Sequence, residues 1–352
     1  MDLSFCWDSA RNVAARSDIP WERFDGKTFL VTGSTGLIGS QLVRTLICRN
    51  KISNKRMKII APVRNTTKAR LLFGNHELIE FTEWKMGDKF SRDSKADYIV
   101  HAASSTSSSD FSNRPVEIIE SIFSSAREVL HYAKWSDCQR VLLLSTMEVY
   151  GDLKGKIVES MGGNLDSMNP RSSYPEAKRL AECLFASYAV EQRVHASVAR
   201  LTQTFGEGVD SEDGRVFAEF ARCASRGDDI ELLTDGSKCN QYLSVDDSVR
   251  AILFLLAKGE DGAAYNVANS NTFCSIREMA ELVARQFGNG NCHIIFGSNP
   301  ERAATFRNGS KIDLDTSRIE ALGWRAEQNL AEMYRAMVEC WTQQRENGID
   351  KK

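Results

Sequence analysis

Tyr174 and Lys178 are the residues of this chain whose types and spacing most clearly suggest chemistry. They lie four residues apart, so on a helix their side chains share one face. A phenol beside an ammonium is held toward its ionised form, which lets a weak acid exchange a proton near neutral pH. The pair could therefore take a proton from a substrate hydroxyl while hydride leaves the same carbon. Because an isolated Tyr-x-x-x-Lys is most often a surface helix, the rest of the sequence has to support this interpretation.

A glycine-rich turn near the N-terminus predicts a dinucleotide-binding site. An apolar strand at 28–31 precedes it and a helical run follows it. Gly33 permits the tight turn, Gly36 lets the backbone approach a pyrophosphate, and Gly39 allows close helix–strand packing. The N–H groups at the start of the helix can then bind phosphate. We expect cofactor contacts along the whole turn, from Gly33, Ser34, Thr35, Gly36, Leu37, Ile38 and Gly39.

A third group of candidates follows the apolar run 142–144. Ser145, Thr146 and Glu148 come where this strand ends, and ligands of open parallel sheets bind beyond the carboxyl ends of strands. The two hydroxyls could hydrogen-bond a developing carbonyl oxygen, and the carboxylate could act as a second acid or base. Singly, each residue is equally well explained as a strand-end cap or a surface charge. With the glycine turn and the Tyr/Lys pair in order around them, they predict an active site.

Alternating strand and helix patterns predict the elements that position these residues. Strands are expected at 28–32, 57–63, 97–101, 140–145 and 195–201. Helices are expected at 36–48, 115–133 and 173–191. This order indicates an α/β fold, a Rossmann-like doubly wound parallel sheet with a smaller C-terminal substrate-binding lobe.

The predicted division of the chain has three parts. Residues 1–25 form an N-terminal extension, interpreted as a helix that covers the sheet, with a subunit contact as the alternative. The dinucleotide-binding domain takes 26–202 plus about 240–265, and the second lobe takes about 203–239 and 266–345.

Bulk composition narrows the possible partners. The 352 residues carry a formal net charge of −2, which gives no electrostatic footprint for nucleic acid or a membrane surface. The longest apolar run, 251–257, is too short to span a bilayer, and no secretory signal is apparent. Nine cysteines without a Cys-x-x-Cys pair and five scattered histidines predict no metal site. We expect a cytoplasmic enzyme.

Together these motifs resemble the extended short-chain dehydrogenases/reductases, the family of nucleotide-sugar epimerases, dehydratases and decarboxylases. The similarity covers nearly everything from Gly26 to Trp341. Within the family the chain is most similar to the UDP-glucuronate decarboxylase (UDP-xylose synthase) type. That similarity is carried by three segments, 148–151, 171–174 and 213–216.

The resemblance implies a cofactor, a substrate and a homodimer. NAD would be bound by the glycine turn, by Tyr174 and Lys178, and by the end of the fourth strand at Ala102, Ala103 and Ser104. The substrate would be a nucleotide sugar, UDP-linked in the most similar relatives. Its expected contacts are Ser105, Glu148, Thr204, Arg215, Val216 and Asn240.

The chemistry implied by the resemblance has two halves. Tyr174, activated by Lys178, takes the proton of the sugar 4-hydroxyl while hydride passes to NAD(P)⁺. The 4-keto group then acidifies carbon 5 and makes a carbon-5 carboxylate a good leaving group, and Glu148 is placed to serve at that carbon. A simple 4-epimerase needs no carboxylate there, so Glu148 favours decarboxylation or dehydration.

Three departures from the family pattern leave alternatives open. Arg64 follows the second strand, where an NAD enzyme usually has an acid, so NADP stays possible with NAD slightly ahead. Met147 stands where many 4,6-dehydratases carry an acid, and Asn240 stands where decarboxylase relatives carry an arginine. A nucleotide-sugar 4-epimerase or 4,6-dehydratase is the alternative function, and a non-catalytic dinucleotide-sensing protein is a remote one.

Overall fold

A seven-stranded parallel sheet forms the centre of the protein. The structure, a computed structural model, describes residues 7–105, 108–297 and 311–346. Within them the strands are β1 (Thr28–Thr32), β2 (Lys58–Val63), β3 (Ile79–Glu83), β4 (Tyr98–His101), β5 (Arg140–Thr146), β6 (Gly155–Ile157), β7 (Ala196–Leu201), β8 (Gln203–Phe205), β9 (Ile230–Leu232), β10 (Cys239–Ser244), β11 (Ala263–Val267), β12 (Asn269–Ser275), β13 (Ile294–Phe296) and β14 (Ile312–Leu314). The large sheet has the order β11-β7-β5-β4-β1-β2-β3, and all its pairings are parallel.

Helices connect the strands of this sheet and build the second lobe. They are α1 (Asp8–Ala14), α2 (Leu37–Ile52), α3 (Thr66–Phe73), α4 (Ser108–Asn113), α5 (Pro115–Ser136), α6 (Ser173–Gln192), α7 (Val216–Arg226), α8 (Val245–Lys258), α9 (Ile276–Phe287), α10 (Ser317–Glu320) and α11 (Leu330–Glu346). Every predicted strand and helix is confirmed. The largest difference is at the end of α2, which reaches Ile52 where the sequence predicted residue 48.

Helices cover both faces of the sheet, which confirms the doubly wound fold. Leu142 and Leu144 of β5 belong to the core shared with α2 and α8, whereas Val141 and Leu143 belong to the core shared with α5 and α6. Successive side chains of a strand point to opposite faces, so a strand covered on both sides needs an unbroken apolar run. This arrangement brings the carboxyl ends of β1, β4 and β5 to one edge of the sheet.

A second core lies in the C-terminal half of the chain. Strands β8, β10 and β12 form a three-stranded sheet, and α7, α9 and α11 pack around it. Phe205 stacks on Phe217 with ring centroids 4.5 Å apart, and Tyr242 and Tyr334 complete the buried aromatic centre. Helix α8 and strand β11 return to the large sheet. The exact limits of the two lobes stay a prediction.

The N-terminal segment packs on the outside of α2 and α8. Helix α1 contributes Val13 and Ala14 to their core, and Trp21 is buried with its indole N–H donating to the Arg16 carbonyl over 2.9 Å. Phe24 reaches the strands, where it lies edge-on to Phe29 with centroids 5.4 Å apart. The extension therefore covers both helices and strands.

Neither a membrane-spanning helix nor a metal-binding group of side chains occurs among the described residues. No helix within 7–105, 108–297 and 311–346 is long and apolar enough to cross a membrane. Over the same residues, no group of three or more His, Cys, Asp or Glu side chains is arranged to hold a metal ion.

Candidate active site

Tyr174 and Lys178 lie together at the start of α6. Both side chains are buried, and the Lys178 ammonium is 5.9 Å from the centroid of the Tyr174 ring. Lys178 donates a hydrogen bond of 2.9 Å to the carbonyl of Leu144, near the end of β5. The helix therefore places both groups at the carboxyl edge of the central sheet, as the four-residue spacing predicted.

Burial, rather than the nearby ammonium, dominates the acidity of Tyr174. Desolvation raises the pKa of its phenol above the usual value, the Glu148 charge raises it further, and a hydrogen bond with Thr146 and the Arg171 charge oppose this. The expectation that Lys178 holds the phenol toward its ionised form is therefore wrong for the protein by itself. Burial also lowers the pKa of Lys178, to about 8, and only the Glu182 carboxylate opposes that shift.

Phe111 of α4 is a residue of this site that the sequence did not indicate. Its ring stacks on Tyr174 with centroids 4.2 Å apart and planes 6° from parallel. The Ser173 hydroxyl donates to the Phe111 carbonyl over 3.0 Å, which ties α4 to the start of α6. This stack covers one face of the phenol ring. A single aromatic residue in a polar segment carries no signal that would have identified it.

Thr146 and Glu148 also act on Tyr174, Thr146 through a hydrogen bond and Glu148 through its charge. Thr146 ends β5 and caps the short 3₁₀ helix 147–150 by accepting a hydrogen bond of 3.2 Å from the Glu148 N–H. This turn directs the Glu148 carboxylate to the same edge, where it accepts a hydrogen bond of 3.1 Å from Arg171. About a third of each of these two side chains is exposed. Arg171 also lies over the Phe111 ring, 4.9 Å from its centroid.

Ser145 does not join this group. Its hydroxyl donates to Glu182, which in turn forms a buried ion pair with Arg200 at 2.7 Å. Ser145 and Thr146 are adjacent on β5, so their side chains leave opposite sides of the strand. Only Thr146 is brought to Tyr174, and Ser145 belongs to the buried network behind it.

The glycine turn has the close approaches expected of a phosphate-binding loop. Gly33 has a φ of +69°, and a Cβ there would lie 2.7 Å from backbone atoms of Ala102 and Ala103. A Cβ on Gly39 would lie 2.2 Å from the Gly33 carbonyl oxygen. Only glycine fits at these two positions, so the turn can lie against the end of β4.

The residues of this turn fit a dinucleotide. Gly36 is exposed and caps α2 without a side-chain hydrogen bond, which leaves the N–H groups at Leu37 and Ile38 to a phosphate. The Ser34 hydroxyl is buried and has no hydrogen-bond partner within the described residues, so it can serve a ligand. Thr35 lies half-buried between them.

Arg64 lies exposed just after β2. Its neighbour Asn65 caps α3 by accepting a hydrogen bond of 2.8 Å from the Lys68 N–H. No ion pair holds the Arg64 guanidinium within the described residues. At the end of β4, the Ser104 hydroxyl donates to the Ser105 carbonyl, and the Ser105 hydroxyl donates to Asp110 over 3.0 Å.

The residues expected to contact the substrate nucleotide lie in the second lobe, and their contacts are internal to it. Arg215 forms a two-pronged ion pair with Asp213, with its closest contact at 2.6 Å, and Val216 follows as the first residue of α7. The Thr204 hydroxyl donates to the Thr202 carbonyl over 3.1 Å. Asn240 is 1% exposed, and its side-chain carbonyl has no hydrogen-bond partner within the described residues.

Comparison with known proteins identifies the family. The model of the NAD dependent epimerase/dehydratase family matches residues 29–268. This chain belongs to that family. Membership confirms the resemblance to nucleotide-sugar epimerases, dehydratases and decarboxylases, and it confirms the expected nicotinamide cofactor.

Named relatives and solved structures are similar over most of the chain. UDP-glucuronic acid decarboxylase 2 of Arabidopsis thaliana is 29% identical over 90% of this chain and 69% of its own. UDP-glucose 4-epimerase of Thermotoga maritima superposes with a TM-score of 0.75 at 21% identity, over 90% of this chain and 99% of its own. dTDP-glucose 4,6-dehydratase of Streptomyces venezuelae, with NAD and TYD bound, gives 0.74 at 21% identity over 91% and 98%. The two structures confirm the Rossmann-like fold.

Proposed function

We propose that this protein is an NAD-dependent nucleotide-sugar decarboxylase that works through a 4-keto sugar intermediate, similar to UDP-glucuronate decarboxylases. One observation carries the proposal. At the edge of the sheet beside the glycine turn, Thr146 hydrogen-bonds the phenol of Tyr174, and the charges of Glu148 and Arg171, which are paired with each other, act on the same phenol. A phenol that can accept a proton, a hydroxyl donor and a carboxylate at one place are what a two-stage reaction at neighbouring carbons requires.

The first stage is oxidation at carbon 4. Tyr174 takes the proton of the 4-hydroxyl, and Thr146 hydrogen-bonds the oxygen as it becomes a carbonyl. The turn at residues 33–39 would hold NAD, which would supply a reversible hydride acceptor for carbon 4, so the overall reaction would have no net redox change. Since burial raises the pKa of Tyr174, the positive charge of Lys178 and of the oxidised nicotinamide would be needed to favour the phenolate.

The second stage takes place at carbon 5. The carbon-4 carbonyl accepts the electron pair that is released when the bond from carbon 5 to the carboxylate breaks and carbon dioxide leaves. The resulting enolate then takes a proton from solvent water at carbon 5, and the Glu148 carboxylate is placed to orient that water. Glu148 can do this without touching the nicotinamide because it lies two residues beyond Thr146 on the turn that leaves β5.

NAD is proposed ahead of NADP. The exposed Arg64 follows β2 at the place where a 2′-phosphate could be bound, so this choice depends on an experiment. Calorimetry with each cofactor should show tighter binding of NAD. Should NADP bind more tightly, Arg64→Asp is expected to reverse the preference.

A 4-epimerase or a 4,6-dehydratase is the second candidate function. Both reactions use the same first stage, and the two solved structures similar in fold carry these names. The Glu148 carboxylate beside Tyr174 favours chemistry at carbon 5 over simple epimerisation. Met147 is 8% exposed and offers no acid where many dehydratases have one, which favours decarboxylation over dehydration.

Product masses, with chromatographic retention to distinguish isomers of equal mass, separate these functions. The protein would be incubated with NAD and, in turn, UDP-glucuronate, UDP-glucose and dTDP-glucose. We expect loss of carbon dioxide from UDP-glucuronate, and no such loss with Tyr174→Phe. Loss of water from dTDP-glucose or epimerisation of UDP-glucose at unchanged mass would select the alternatives. Unchanged substrates throughout would favour a non-catalytic dinucleotide-binding protein.

A homodimer through α5 and α6 also remains a proposal. These two helices expose apolar side chains at Val116, Ile119 and Leu180, between 42% and 66% of each being accessible. Light scattering after size exclusion should give twice the chain mass of 39.4 kDa. Ile119→Asp and Leu180→Asp together should give the monomer mass if this surface forms the contact.

A further inference from the structure

A decarboxylase is expected to bind the carboxylate of its substrate through a cationic side chain. At the position where the family resemblance implies such a side chain, this chain has none. The family resemblance places an arginine where this chain has Asn240, and Asn240 is neutral and almost fully buried. Arg215 is bound by both prongs to Asp213, and Lys238 has an interaction of its own. Neither Arg215 nor Lys238 is therefore presented to Tyr174 as a free cation.

Other cations near the sheet edge are also engaged with protein groups. Lys178 donates to the Leu144 carbonyl and is 3% exposed. Arg200 pairs with Glu182 in the buried network. Arg179 donates to the carbonyls of Val149 and Gly163 over 2.7 Å each. Each of these groups would have to break an internal hydrogen bond to reach a substrate.

About a third of the Arg171 side chain is exposed, as is about a third of Arg179, so a ligand can reach it. Arg171 differs from the other cations in two respects. A single hydrogen bond of 3.1 Å joins it to Glu148, so the planar guanidinium keeps further donors for a second carboxylate. Its position over the Phe111 ring, which stacks on Tyr174, fixes it one aromatic ring away from the phenol.

We propose that Arg171 binds the carboxylate of a uronic-acid nucleotide sugar and is the residue that selects such substrates over neutral ones. The inference rests on the proposed function and names the recognition group for that same site. A substrate carboxylate arriving beside Glu148 would be repelled by it. A guanidinium that bridges the two carboxylates removes that repulsion and holds carbon 5 beside Glu148.

If Arg171 mainly stabilised the fold, its loss would destabilise the protein and weaken all ligands alike. Recognition of a carboxylate predicts a different result. An ion pair with a third of each side chain exposed contributes little to stability, because water screens it. Loss of the guanidinium should therefore leave the protein folded and its neutral ligands bound. Only ligands with a carboxylate on the sugar should lose affinity.

Calorimetry with Tyr174→Phe as the parent tests this without turnover. With NAD present, the parent should bind UDP-glucuronate about tenfold or more tightly than UDP-glucose. Adding Arg171→Met should weaken UDP-glucuronate binding by about 10- to 100-fold, the range for a hydrogen bond between charged groups, with UDP-glucose and UDP within about threefold. The affinity of an Arg171→Lys variant for UDP-glucuronate should lie between those of the parent and the Arg171→Met variant. Arg318→Met, which removes a half-exposed arginine paired with Glu260 at 3.0 Å, is the matched control and should change neither affinity.

Two outcomes would overturn the inference. One is a parent that binds both sugars equally, and the other is an Arg171→Met variant that keeps the preference for UDP-glucuronate. The wild-type product mass separates this failure from failure of the proposed function. If UDP-glucuronate is still decarboxylated, only the assignment of Arg171 falls, whereas no decarboxylation by the wild type would refute the proposed function itself.

Discussion

Two pairs of ionisable side chains lie at the same edge of the central sheet, and they differ in their access to water. Tyr174 and Lys178 are buried, whereas Glu148 and Arg171 are each about one-third exposed. Desolvation is the largest influence on the pKa of both members of the first pair. The second pair is held by its own attraction and can be reached by a ligand. The difference assigns proton and hydride chemistry to the buried pair, Tyr174 and Lys178, which we call the inner pair. It assigns substrate recognition and carbon-5 chemistry to the exposed pair, Glu148 and Arg171, the outer pair.

Removing the phenol of the inner pair should have the largest effect. Tyr174→Phe keeps the stack on Phe111 and deletes the acid–base group, so we expect turnover to fall by about a hundredfold or more. Product formation followed by mass spectrometry gives the rate. Near-normal turnover by a folded variant would contradict the assignment.

The second largest effect should be on stability, where loss of a buried ion pair should cost more free energy of unfolding than loss of an exposed one. Arg200 and Arg171 make a matched comparison, because each guanidinium lies 4.9 Å from an aromatic centroid and pairs with one glutamate. Arg200→Met leaves Glu182 buried and unpaired, which should lower the free energy of unfolding by about 3–5 kcal/mol. Arg171→Met should lower it by less than about 1 kcal/mol. Urea unfolding measures both, and equal losses would show that exposure does not distinguish the pairs.

The pH dependence of turnover should report Lys178. Its pKa of about 8 means that the ammonium form is lost as pH rises through that value, so turnover should fall above it. The facing His101 stays neutral there, because burial and the Lys178 charge lower its pKa to about 3. Glu182 is the charge that favours the ammonium, so Glu182→Gln should move the fall in turnover to lower pH.

A matched control keeps the pH experiment specific. Glu128→Gln removes an equally buried carboxylate, which pairs with Arg127 on α5. It should leave the position of the fall unchanged. If both variants move the fall equally, or neither does, Lys178 is not the titrating group.

Sequence periodicity was sufficient for the fold and for the inner pair. The alternation of apolar strands and helices predicts the sheet because each strand is buried on both faces. Gly33 and Gly39 were recognisable because close backbone approach tolerates no side chain. The four-residue spacing placed Tyr174 and Lys178 on one face of α6.

The surroundings of that pair could not be predicted in the same way. Which of Ser145 and Thr146 reaches Tyr174 depends on the face that each presents, and the run of hydroxyls does not show this. The stack of Phe111 on Tyr174 is a contact between α4 and α6 that no local pattern encodes, and the burial that raises the pKa of Tyr174 depends on such tertiary packing. The pairing of Arg171 with Glu148 likewise depends on how two short 3₁₀ helices, 147–150 and 170–172, meet in the fold.

The division of labour between the two pairs is tested most directly by a single turnover of Glu148→Gln with UDP-glucuronate and NAD. Glutamine keeps the shape of the side chain and removes the carboxylate. Absorbance of the reduced nicotinamide reports the inner pair, and product mass reports the outer pair. The account predicts that the cofactor is reduced while the decarboxylated product is not formed. Decarboxylated product at the wild-type rate would contradict it and would show that the carbon-5 chemistry does not need Glu148.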